Sequence, residues 1–157
     1  MWQRKQSLFL FLAAVLAFST WLFPVATYER AKEAFVFRTT GLFSGDGIEL
    51  TDVGMKIPVG IVITVVGVAL LGIIFLFKDR LRQIRFLRGT YLLTLGVIAF
   101  LFITDTSFQG YLEQGGEVVS IYGISFFAPV LMLILTLLAE RAIRADEALV
   151  RSADRLR

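Results

Sequence analysis

Residues 121–139 read IYGISFFAPVLMLILTLLA and contain no Asp, Glu, Lys or Arg. A helix needs roughly 17–25 such residues to cross a hydrocarbon core about 30 Å thick. The run then changes character without a break. From Leu138 the chain reads LLAERAIRADEALVRSADRLR, with no Gly or Pro, so the helix is predicted to leave the membrane and continue as an amphipathic tail over 140–157. Leu138, Ala142, Ala145, Leu149, Ala153 and Leu156 recur every three or four residues. Glu140 with Arg144, and Glu147 with Arg151, stand four apart in the acid-first order that supports a helix.

Upstream lie three further apolar blocks. Residues 8–26 (LFLFLAAVLAFSTWLFPVA) and 58–77 (PVGIVITVVGVALLGIIFLF) carry no charge. The third, TYLLTLGVIAFLFI, is shorter and reaches full span only if Phe86 and Leu87 join it and Arg88 snorkels to the interface. Of the 157 residues, 57% are hydrophobic and the mean hydropathy is +0.75; soluble domains usually carry about 45–50%. The expectation is an all-α membrane protein, one domain over 1–157, built as a four-transmembrane-helix bundle with spans at 8–26, 58–77, 88–104 and 121–139. Arg4 and Lys5 before the first block suggest a signal peptide, but the block is longer than the about 7–15 residues of an h-region. PVATYER is also a poor cleavage site, so the block reads as a retained anchor.

Basic residues set the expected orientation. Arg4 and Lys5, then Lys78, Arg80, Arg82, Arg85 and Arg88, then Arg141, Arg144, Arg151, Arg155 and Arg157 flank one side of the predicted spans. The other side has only Arg30, Lys32, Arg38 and Lys56. Both termini and the middle loop are therefore expected in the cytoplasm of a multi-pass protein. In the first outer loop, YERAKEAF could extend the first helix. AFVFRTTG and GIELTDV read as short strands about an SGDG turn, and EVVSIYG in the second loop is also β-prone. Pairing of these segments would add a small extracytoplasmic sheet, because lone strands leave backbone groups unsatisfied.

The absences constrain chemistry. With no Cys and no His there is no disulfide, thiol nucleophile, imidazole base or haem ligand. No cofactor and no catalytic or metal-binding residues are expected, and no enzyme activity. Ionisable groups within membrane spans usually mark proton or ion pathways; none falls inside the four expected blocks. Small and weakly polar residues repeat instead at helical spacing, notably Gly60, Thr64 and Gly67, then Ser125 and Pro129. Such stripes let helices approach closely in lipid. Acids of the outer loops (Asp46, Glu49, Asp52, Asp105, Glu113, Glu117) lack the alternating spacing of an EF-hand and read as a solvated rim.

Three readings stand for the tail: a solvated extension, a helix lying on the anionic leaflet, and a docking segment for a protein partner. Asp146, Glu147 and Asp154 among the arginines weaken the lipid reading, and nucleic acid for the same reason. Leu149 and Leu156 with Arg151 and Arg155 are the candidate partner contacts.

The ends of the chain, MWQRKQSLFLFLAAVLA and AIRADEALVRSADRLR, resemble an uncharacterised family of small four-helix membrane proteins from Bacteroidetes, domain-of-unknown-function family 4293. The resemblance covers essentially the whole chain and implies the inner membrane of a Gram-negative bacterium. It brings no activity or ligand. The expected function is a non-enzymatic accessory or scaffold subunit that contacts the bilayer and other membrane proteins. The alternative is a small permease or channel component.

Overall fold

A computed structural model describes residues 5–30, 33–50, 59–77 and 79–155, with only the backbone for Arg151 and for 153–155. Among the described residues, four helices and four strands follow in the order α1 (Lys5–Ser19), β1 (Ala26–Arg30), β2 (Glu33–Arg38), β3 (Gly41–Ser44), α2 (Val59–Phe75), α3 (Arg80–Glu113), β4 (Val118–Tyr122) and α4 (Ile124–Arg155). The helices pack in a ring, α1 on α2, α2 on α3, α3 on α4 and α4 on α1. Neighbours run antiparallel: Gly60 lies by Trp21 and Gly67 by Ala17, while Arg88 meets Glu140 and Phe102 meets Phe126.

The expectation of an all-α, four-span bundle is overturned. α1 has 15 residues and α2 has 17, roughly 22 and 26 Å at 1.5 Å per residue, short of a 30 Å core. Among the described residues, only α3 and α4 are long and apolar enough to cross a membrane. The remainder of the architecture is a four-stranded antiparallel sheet of order β3-β2-β1-β4.

Local chemistry explains the differences. Pro24 cannot continue a helix and biases the preceding residue away from helical geometry, so α1 stops at Ser19 rather than at residue 26. Val25 then donates to the Phe37 carbonyl at 2.8 Å, and the chain enters the sheet. Tyr28–Phe35, read as a possible helical extension, instead supplies strands β1 and β2, paired with Tyr28 opposite Phe35 and Ala26 opposite Phe37. Thr39 and Thr40 turn β2 into β3. β4, from the far loop, pairs with β1 and closes the sheet. The expected GIELTDV strand reduces to one bridge between Phe43 and Glu49, and its second half lies outside the described residues. Arg4, Lys32, Lys56, Lys78 and Arg157 of the charge pattern also lie outside them.

Polar residues on the buried stripe make α3 twice the expected length. Gln83, Leu87, Thr90, Thr94, Val97, Leu101, Asp105, Phe108 and Leu112 are all buried at intervals of three or four. The helix therefore runs through Asp105–Glu113, a segment expected to be loop, and reaches back to an Asp79 N-cap whose side chain accepts from the Arg82 amide. Thr90, Thr94 and Thr104 hydroxyls donate to the carbonyl four residues earlier, which satisfies them within an apolar layer.

The sheet sits over the ends where α1 and α3 finish and α2 and α4 begin. Its inner face brings Phe37 edge-on to Phe108 of α3, with ring centroids 4.9 Å apart. Arg30 ties the same layers: its guanidinium lies over the Phe35 ring, pairs with Glu33 at 2.8 Å and donates to the Leu112 carbonyl at 3.3 Å. That last bond caps a carbonyl at the C-terminal end of α3.

Candidate functional site

Two polar constellations stand out, one at each end of the helices. Under the sheet, Asp105 is only 4% exposed and is surrounded by donors. The Tyr28 hydroxyl of β1 donates to Oδ1 at 2.5 Å. Gln109 Nε2, one turn along α3, and the Tyr122 hydroxyl of β4 donate to Oδ2 at 2.9 and 3.1 Å. Adjacent strands thus converge on one carboxylate, which joins both outer segments to α3. Burial, followed by the hydrogen bond to Asp105, pushes the Tyr28 hydroxyl well above its ordinary value. Burial also raises Tyr122. Two neutral phenols around a carboxylate make a stable acceptor site rather than a nucleophile–base pair.

The opposite end is held by ions. Glu140 of α4, 7% exposed, presents Oε1 to Arg88 Nε of α3 at 3.0 Å and to Arg144 Nε at 2.9 Å. About two turns outward, Arg80 meets Asp146 at 3.0 Å and Glu147 at 3.9 Å. Gln83 donates to the Ile73 carbonyl at the end of α2, at 3.0 Å. Together these contacts fasten α2, α3 and the distal half of α4.

The residues singled out by spacing fall in several places. A Cβ on Gly67 would lie 3.0 Å from the Ala17 Cβ, so Gly67 faces α1, and one on Gly60 would lie 3.1 Å from the Trp21 ring and 3.3 Å from Thr39, so Gly60 faces the segment after α1 and the β2–β3 turn. Thr64 accepts from the Trp21 indole at 2.9 Å. Ser125 is buried and donates to the Phe23 carbonyl at 2.8 Å, and Pro129 is buried inside α4. Leu149 is 69% exposed on α4. The side chains of Arg151 and Arg155, and all of Leu156, lie outside the described residues. Sequence reasoning missed Asp105 as a buried group because it placed the residue in a loop. The signal was present: Leu101, Asp105, Phe108 and Leu112 continue the helical stripe, with Gln109 four residues on.

The chain is thus a mixed α and β protein whose two long apolar helices support membrane association. It belongs to the family described as Domain of unknown function (DUF4293), whose pattern matches residues 2–156. No curated protein and no solved structure matches it.

Proposed function

We propose that the protein is an integral protein of the bacterial cytoplasmic membrane that acts as a non-enzymatic accessory or scaffold subunit of a membrane complex. One observation carries the membrane reading. The most apolar windows of α3 and α4 are only 28% and 39% buried within the molecule, so most of their apolar side chains point outward. A core helix of a soluble protein would turn those groups inward, where burial stabilises by about 25 cal/mol per Å². Leu92, Phe102, Ile103, Leu131 and Ile134 are among those left facing out, the arrangement that lipid rewards.

The sheet lies at one end, and Arg80, Arg82, Arg85, Arg88, Arg141 and Arg144 lie at the other. By the positive-inside rule the basic end is cytoplasmic and the sheet extracytoplasmic, with both termini on the cytoplasmic side. Past the ion pairs to Arg80, α4 continues as a helix that displays Leu149 and Val150 to solvent. An amphipathic helix of this kind suits a protein groove.

The test is co-purification of the tagged full chain from its native membrane in mild detergent. A stoichiometric membrane-protein partner is expected, lost in Leu149→Asp while the chain stays in the membrane fraction. A chain that purifies alone around a water-filled path would favour transport and overturn the scaffold.

A further inference from the structure

We propose that the α3–α4 contact at the basic end binds the phosphodiester headgroup of an anionic phospholipid, with Arg88 and Arg144 as the fork that holds it. This rests on the membrane reading above. Both guanidiniums are fixed on the same oxygen of Glu140, and both side chains are about half exposed, 50% for Arg88 and 54% for Arg144. Two cations thus stand side by side over one buried carboxylate and retain a net positive charge. Arg88 engages Glu140 through Nε alone, and Arg144 through Nε and Nη2. Their other N–H groups have no protein acceptor among the described residues and are free to meet a ligand. Planar forks of this kind bind the paired oxygens of a phosphodiester bidentately, and their geometry is already set by Glu140.

The surrounding charge adds to the site. Arg85, one turn before Arg88, and Arg141, beside Glu140, are exposed and have no ion-pair partner among the described residues. Of the acids that appear in sequence to offset them, Asp146 and Glu147 face Arg80 and Asp79 faces Arg82, while the side chain of Asp154 lies outside the described residues. Two arginines therefore share the Glu140 carboxylate, and two more nearby in sequence have no ion-pair partner among the described residues. The apolar surface starts immediately beyond it. Leu92 and Leu93 on α3, and Ile134, Leu137 and Leu138 on α4, are exposed there. A soluble anion would use only the charges; a phospholipid uses the charges and lays its acyl chains along these side chains. The junction of the two surfaces selects the lipid.

The experiment is native mass spectrometry of the purified full chain in detergent, titrated separately with phosphatidylglycerol, phosphatidylcholine and sodium phosphate. Wild type should retain phosphatidylglycerol in preference to phosphatidylcholine, and phosphate should not compete at equal concentration. Each arginine near the headgroup is expected to contribute about fivefold in affinity, so Arg88→Gln should weaken phosphatidylglycerol about fivefold and leave phosphatidylcholine unchanged. Glu140 keeps Arg144 as a partner in that variant. Arg141→Gln, which breaks no ion pair among the described residues, should show a similar loss and covers the case in which Arg88→Gln does not fold. Equal retention of both lipids by wild type, an undiminished preference in the variants, or displacement by phosphate would overturn the site. Failure of the chain to enter liposomes of either lipid would overturn the membrane reading, and this site with it.

Discussion

Tyr28 and Asp105 show how one residue pair decides what a segment becomes. Tyr28 is fully buried, and its hydroxyl has nowhere to go except the carboxylate of α3. Tyr28→Phe should therefore destabilise the protein by about 1.5–3 kcal/mol, the scale of a hydrogen bond to a charged group. Tyr122→Phe should cost less, because that ring is 42% exposed and water replaces the lost bond. Thermal unfolding in detergent, comparing the two variants, checks the order. The pH dependence follows from the same burial. The folded protein holds the Tyr28 proton more tightly than the unfolded chain, whose tyrosine ionises at its ordinary value of 10.0. The resulting stability is fully present below pH 10 and falls as pH rises above it. Alkaline unfolding of Tyr28→Phe should accordingly have a shallower slope above pH 10 than wild type; superimposable slopes would show that Tyr28 does not control this limb.

At the scale of elements, the glycines of the helices divide by what lies beside them. Gly67 faces Ala17 and Phe18 at distances a Cβ can barely accept, whereas Gly72, Gly89 and Gly96 have no atom within 4 Å of where a Cβ would stand. Helical Gly→Ala normally stabilises by about 0.5–1 kcal/mol. Gly72→Ala and Gly96→Ala should show that gain, while Gly67→Ala should lose it by pushing α1 from α2. Gly123→Ala should be worse, since its Cβ would fall 2.3 Å from the Pro24 carbonyl oxygen, a rigid backbone atom where α1 hands over to the sheet. Melting temperatures of the four variants rank these contacts. The small-residue spacing of Gly60 and Gly67 was legible in sequence as a packing stripe. The openness of Gly72 was not, because the same residue type suits both environments.

For the molecule as a whole, the two ends carry opposite commitments: a sheet held by hydrogen bonds and a charged clamp held by arginines. Single cysteines test which side each faces, without background because the native chain has none. Asp46→Cys and Gln114→Cys should react with a membrane-impermeant maleimide added to intact spheroplasts. Ser152→Cys should react only after permeabilisation. Labelling of Ser152→Cys in intact cells would reverse the orientation proposed above.

What the sequence determined by itself was hydrophobic patterning: long uncharged blocks, basic residues biased to one side, an amphipathic tail and β-prone outer segments. These depend on local composition, which a single chain displays openly. Tertiary structure decided the rest. The true length of α3 depends on Asp105 finding Tyr28, a residue far away in sequence, so a carboxylate that reads as solvent-seeking is buried at low cost. The end of α1 depends on Pro24 together with the Phe37 carbonyl that receives Val25. The arginine fork depends on α3 and α4 meeting at one oxygen of Glu140. Each is a partnership between distant residues, and a polar group is stable in an apolar setting only once that partner is in place.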